Sequence, residues 1–232
     1  MVFSCTVESM FDSTQIIQLF VRFLILLPCI VLHEMAHGYA ALKMGDETAK
    51  RAGRLTLNPI AHIDPFGTII LPLLMLVASG GTFAFGAAKP VPINPWNFRD
   101  ERKGLLITGI AGPAVNIAIA VIAGVLLRIL LVFSPLYSSA VTPVVSAVAY
   151  VLFSLCYLNL VMTFFNLIPI PPLDGSRVLQ RFLPDRARDA YHMLERFGFV
   201  IIIAIAWLAP VVLDTYFSIT VTPLLRLLIG FS

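Results

Sequence analysis

Residues 16–43 read IIQLFVRFLILLPCIVLHEMAHGYAALK. A helix of about 20 apolar residues crosses a bilayer, and this run is longer. Arg22 is its only charge before Glu34, and His33, Glu34 and His37 sit together in its second half. Ionisable side chains at that depth are costly, so each of the three demands a reason.

The rest of the chain agrees with a lipid solvent. Of its 232 residues, 59% are hydrophobic and 12% charged, whereas a soluble domain has roughly 45–50% apolar and about 25% charged residues. The net charge of +3 is modest. The basic residues fall in loops and form no patch interleaved with aromatics, which excludes a nucleic-acid partner. The three cysteines, Cys5, Cys29 and Cys156, are widely spaced and make neither a disulfide framework nor a CxxC knuckle. Cys29 and Cys156 lie in apolar runs and read as small hydrophobes. No Lys or Arg precedes Arg22, so the basic start of a secretory signal is missing and the first segment is expected to stay in the mature protein.

Outward from the first span, a second apolar run covers Phe66–Ala78, contains Pro72 and is followed by Gly80, Gly81 and Gly86. It is short for a full crossing and reads as re-entrant or tilted. Lys89-Pro90-Val91-Pro92-Ile93-Asn94-Pro95 follows; prolines at that density exclude helix and impose extended backbone. Further apolar runs span Leu105–Phe133, Val144–Ile168, Phe197–Leu213 and Tyr216–Phe231, the last two split at Asp214 and Thr215. The expected fold is therefore an all-α polytopic membrane protein of five to six membrane segments, forming one domain over residues 1–232. Segments 43–65, 89–103 and 174–196 are rich in Lys and Arg, whereas 1–15 and 134–143 have none. The positive-inside rule then puts the basic loops in the cytoplasm and the N-terminus outside, provided that 66–86 enters and leaves on one side.

On a helix, His33 and His37 are four residues apart and share a face. Two imidazoles so placed can bind one zinc ion, with Glu34 beside them as a general base for a water. The competing structural reading is a cluster of interhelical hydrogen bonds. A catalytic zinc usually takes a third protein ligand, and the candidates are His62, His192, Asp64 and Asp174. Asp174 is the best placed, because it follows the Pro169-Ile170-Pro171-Pro172 break, where non-helical backbone lines a cavity most readily. The residues alone leave it open whether Asp174 is a ligand or the N-cap of a helix starting at Ser176 or Arg177.

His33-Glu34-Met35-Ala36-His37 together with Asn166-Leu167-Ile168-Pro169-Ile170-Pro171-Pro172-Leu173-Asp174-Gly175 resembles the site-2 protease family of intramembrane metalloproteases. Phe85-Gly86-Ala87-Ala88-Lys89-Pro90-Val91-Pro92 is similar to that family's re-entrant β-hairpin, and Ala111-Gly112-Pro113-Ala114-Val115-Asn116 to its GPxxN helix. The resemblance covers about residues 16–185. It implies one Zn²⁺ per chain on His33, His37 and Asp174, Glu34 as general base, and a β-hairpin element between the HExxH and GPxxN helices. It further implies a membrane-protein substrate with a transmembrane helix, and a bacterial plasma membrane with the active site toward the cytoplasm. The chain resembles the minimal branch of the family, without an inserted PDZ domain or a nucleotide-binding module.

Other polar residues admit two readings each. Thr108, Gly112, Asn116, Ala120 and Gly124 recur every four residues and predict a small-residue stripe for close helix packing. Asn116 either glues helices or orients a metal ligand or substrate, and Asn166 either holds the proline break or binds a substrate carbonyl. Lys89 and Pro90 belong to an extended segment, 89–95, whose edge can receive an extended substrate by strand addition. His62 and Asp64 read chiefly as turn residues, and His192 as part of a solvated helix. Arg128 and Arg226 lie near span ends, where long side chains snorkel to the headgroups. Two non-proteolytic alternatives stand beside the protease. A metal transporter or sensor needs a polar path through several spans, and an inactive scaffold has no need of Glu34.

Overall fold

The structure is a computed structural model that describes residues 13–70, 88–133 and 142–230. Its helices are α1 (Ser13–Met44), α2 (Thr48–Arg51), α3 (Glu101–Phe133), α4 (Thr142–Asn166), α5 (Asp174–Gln180), α6 (Asp185–Leu208) and α7 (Pro210–Ile229). Four stretches are long and apolar enough to cross a membrane: Phe20–Met44, Glu101–Phe133, Thr142–Asn166 and Pro210–Ile229. Their outer faces carry exposed Leu, Ile and Val such as Leu126, Ile129, Val132 and Val148. Such a surface is stable where lipid rather than water covers it.

Helix α3 is the hub, packed against α1, α4, α5 and α7. The predicted stripe explains why: Thr108, Gly112, Asn116, Ala120 and Gly124 are all buried. Without a hydrophobic driving force between helices in lipid, close approach through small residues is what holds them. A Cβ on Gly124 would stand 2.8 Å from Leu228 of α7 and 3.2 Å from Cys156 of α4. Below that contact Ala120, Ala123, Cys156, Leu160 and Val221 form the apolar core. Cys29 and Cys156 are free and buried, as expected. Asn159 of α4 donates to Cys29 Sγ at 3.2 Å, a polar stitch to α1. Arg128 lies against Gly230 at the C-terminal end of α7, where a cation meets unpaired carbonyls.

Two expectations are corrected. No described residue lies in a strand. Of the stretch expected as a hairpin, 85–92, residues 85–87 lie outside the described residues, and 88–94 is irregular. The physical reason is that Pro90 and Pro92 have no amide to give a ladder. The next amides bond elsewhere: Lys89 N–H to the His62 carbonyl at 2.9 Å and Asn94 N–H to Asp46 at 2.7 Å. Second, the final two segments separate at Ala209, which has φ −139° and ψ 52°, not at Asp214. Pro210 tolerates the first helical position, where its missing N–H costs nothing, and so starts α7. The apolar part of α6, Arg196–Leu208, is then short of a crossing. The run 66–78 begins as a π-helical turn, Pro65–Ile70, and its remainder is outside the described residues.

Helix α1 ends at Gly45, whose φ of +109° suits a residue without Cβ. The turn delivers Asp46, fully buried, to four donors. These are Thr48 N–H at 3.0 Å, Thr48 Oγ1, Asn94 N–H at 2.7 Å and Asn97 Nδ2 at 2.9 Å. Burial pushes the Asp46 carboxyl up, but its hydrogen bonds from Asn97, Thr48 and Asn94 outweigh this and hold it below the ordinary 3.8. A carboxyl lowered in the folded state contributes stability above its unfolded value and loses it as pH falls through the folded value. Asp46→Asn is expected to cost about 1–3 kcal/mol near neutrality and to flatten the acid side of the stability profile below the ordinary 3.8. Thermal melting of both proteins in detergent from neutral to acid pH checks this; equal melting at neutral pH would contradict it.

Candidate metal centre

His33 and His37 project from the C-terminal half of α1 toward α3, and Asp174 opens α5 after the proline break. The cap position of α5 is Leu173, and no side chain caps it. Asp174 is therefore not the N-cap that its spacing allowed; its carboxylate turns to the histidines instead. His33 Nε2 and His37 Nε2 each lie 3.1 Å from Asp174 Oδ2 and 3.0 Å from one another. The three side chains are buried.

That triangle fits a metal ion. Ligands of a tetrahedral zinc stand about 3.3 Å apart, given metal–nitrogen and metal–oxygen bonds of ~2.0–2.1 Å. A proton on one ring nitrogen serves a single edge of the triangle, whereas a cation serves all three donors. The outer ring nitrogens support the same conclusion. His37 Nδ1 lies 2.7 Å from the Thr108 carbonyl, which accepts only, so Nδ1 carries the proton and Nε2 keeps a lone pair for the centre. His33 Nδ1 lies 3.1 Å from the Asn116 amide nitrogen, while Asn116 Oδ1 is buried without a partner. Amide nitrogen and oxygen are interchangeable by shape. Turning the amide over lets Oδ1 accept from His33 Nδ1–H, and then His33 Nε2 also faces inward as a lone pair. Such outer partners fix ring orientation at metal sites.

The helix that carries these partners must come close. A Cβ on Gly112 would lie 2.5 Å from both His33 Cε1 and His37 Nε2. Gly175 is equally constrained, since a Cβ there would meet the Leu167 carbonyl oxygen at 2.2 Å. On the other flank α6 meets the break directly: a Cβ on Gly198 would lie 1.7 Å from the Pro171 carbonyl oxygen. Tyr191 donates to the Pro169 carbonyl at 2.6 Å.

Of the other anticipated residues, Asn116 reaches the centre, whereas Asn166, Lys89, Pro90, His62 and Asp64 do not. Asn166 donates to the Met162 carbonyl one turn back in α4, at 2.9 Å. Lys89 and Pro90 are exposed. His62 is buried, with Nε2 at 2.9 Å from the Thr56 carbonyl, and Asp64 accepts from Gly67 N–H at 2.7 Å; both serve turns. His192 belongs to α6. Among the described residues, His33, His37 and Asp174 are the cluster whose donor atoms converge.

Sequence reading missed three contributors. Arg177 Nη1 lies 3.6 Å from Asp174 Oδ1; its position three residues on in a helix is the signal that was available. The Thr108 carbonyl and the Val91 amide, which donates to Glu34 Oε2 at 2.8 Å, are backbone groups that no residue type announces.

Comparison with known proteins agrees with this chemistry. Residues 21–208 match the profile of peptidase family M50. "Putative zinc metalloprotease YwhC" of Bacillus subtilis is 40% identical over 181 residues, 78% of this chain and 77% of that protein. "Putative zinc metalloprotease Rip2" of Mycobacterium tuberculosis is 31% identical over 190 residues, 82% of this chain and 67% of that protein. No solved structure matches the chain.

Metal analysis of detergent-purified protein tests the triangle. Wild type is expected to hold one zinc per chain, Asp174→Ala to lose most of it, and His62→Ala to keep it. Full zinc in Asp174→Ala would remove Asp174 from the ligand set.

Proposed function

The chain belongs to peptidase family M50, and from that premise we propose that it is an intramembrane endopeptidase, cutting a membrane-protein substrate in or near a transmembrane segment. That it is a zinc metalloprotease and an integral membrane protein follows from the family, from its relatives and from four apolar helices. The finer reading rests chiefly on one observation: two imidazoles and a carboxylate, buried and 3.0–3.1 Å apart, sit among membrane helices beside Glu34.

His33, His37 and Asp174 would hold the zinc. Bound there, zinc supplies Lewis-acid chemistry, a polarised substrate carbonyl and a more acidic water. The protein's own residues do the rest. Thr108 and Asn116 keep the imidazoles turned inward. Glu34, adjacent in sequence to His33, takes the proton from the attacking water and returns it to the leaving nitrogen. Burial removes competing solvent, so each of these interactions is stronger than in water.

Depth and sidedness support a bilayer substrate. His33 is ten residues before Lys43, about 15 Å along the helix at ~1.5 Å per residue. Lys43 and the basic loops belong to the cytoplasmic side under the positive-inside rule. The centre then lies within the apolar layer, open toward the cytoplasm, in the plasma membrane of a bacterium such as those of its relatives. The substrate must unwind locally to present a peptide bond there. Segment 89–95 can receive it with one polarity of bonding. Lys89 and Val91 direct their amides into the protein, and successive residues of extended backbone alternate sides. Over residues 89–92 the other edge therefore carries the carbonyls of Pro90 and Pro92 and no donors, so the substrate donates and this edge accepts.

Glu34→Gln is expected to retain zinc and to cut a reconstituted transmembrane-helix substrate roughly 10²–10⁴-fold more slowly. Wild-type turnover by that variant would take the base role from Glu34. A zinc-loaded wild type that hydrolyses soluble peptides while leaving such substrates whole would overturn the intramembrane reading.

A further inference from the structure

The Glu34 carboxylate is held by the segment that faces it. Val91 N–H donates to Glu34 Oε2 at 2.8 Å, and it is the donor that the described residues give this carboxylate. The Val91 side chain is 4% exposed and packs on α1 at Gly38, where a Cβ would come within 3.1 Å of Val91 Cγ1. Glu34 and Gly38 are four apart on one helical face. The valine thus meets α1 twice, through its side chain at Gly38 and through its amide at Glu34. On both sides the segment is fastened elsewhere: Lys89 N–H to the His62 carbonyl at 2.9 Å, Arg54 to the Lys89 carbonyl at 2.7 Å, and Asn94 N–H to Asp46 at 2.7 Å.

We propose that Val91 is a positioning residue for the catalytic base. Its amide fixes one carboxylate oxygen of Glu34 and leaves Oε1 to serve the water. The same residue lies between Pro90 and Pro92, whose carbonyls form the edge offered to substrate, so one short segment carries substrate on one side and orients the base on the other. A substrate strand that presses on this edge bears directly on the base. This rests on the reading of Glu34 as the base and of segment 89–95 as the receiving edge.

Removing the amide while keeping the backbone extended isolates the effect. Val91→Pro removes the donor at a position that neighbouring prolines already hold in extended geometry; Val91→Ala keeps the donor and shortens the side chain. With a reconstituted transmembrane-helix peptide as substrate, Val91→Pro is expected to hold zinc as wild type does. Its kcat should fall roughly ten- to hundredfold with KM within about twofold, and Val91→Ala should stay near wild type. Hydrogen exchange reads the contact itself, without zinc or turnover. Pro90 and Pro92 carry no amide hydrogen, so peptides over 89–92 report on Lys89 and Val91 alone. Glu34→Ala is expected to speed exchange at Val91 about tenfold or more while Asn94, held by Asp46, is unchanged. Unchanged exchange at Val91 in Glu34→Ala, or wild-type kcat in Val91→Pro, would overturn the proposal. Loss of zinc or of all cleavage in the wild type would instead count against the protease reading, while the exchange result stood.

Discussion

Three electron-rich atoms held within about 3 Å of one another in an apolar medium repel unless a cation joins them, and the fold is arranged around making that meeting possible. His33 and His37 come from one helix, Asp174 from the start of another, and the outer ring contacts from a third. They meet because α3 presents Gly112 to the imidazoles and because Gly175 lets α5 turn sharply beneath Leu167. Without side chains at these points the helices close to backbone distance. With them, the donors could not share one centre.

The sequence made much of this legible because lipid enlarges the cost of every polar residue. His33, Glu34 and His37 stand out in residues 16–43 for that reason, as does the regular recurrence of Thr108, Gly112, Asn116, Ala120 and Gly124. Run length and composition pointed to five to six membrane segments; among the described residues four helices are long and apolar enough to cross. Asp174 was ambiguous between ligand and cap, because both roles ask for a short acid after a non-helical turn; the structure puts Leu173 at the cap of α5 and the Asp174 carboxylate against the two histidines.

What the sequence did not make legible has physical causes too. The break before α7 is set by Pro210, whose ring stops α6, while the polar pair Asp214–Thr215 sits inside the helix as ordinary turns of it. Hairpin and irregular extended chain share one residue pattern, and the distinction lies in where amides find acceptors. Here they find a carboxylate at Glu34, another at Asp46 and a loop carbonyl at His62. Backbone donors and acceptors, including the Thr108 carbonyl, have no signature in a string of side chains.

Consider finally the prolines that flank Val91. A segment lying along a helix can slip by one residue with little change in its overall path, and flat stretches are prone to such errors of alignment. Slippage by one residue either way would set Pro90 or Pro92 against Glu34, with no hydrogen to offer and a charged oxygen left bare. Of these three alignments, only the observed one satisfies the carboxylate. The two rings therefore act as a register key: they enforce which residue meets Glu34 by making each adjacent choice chemically mute.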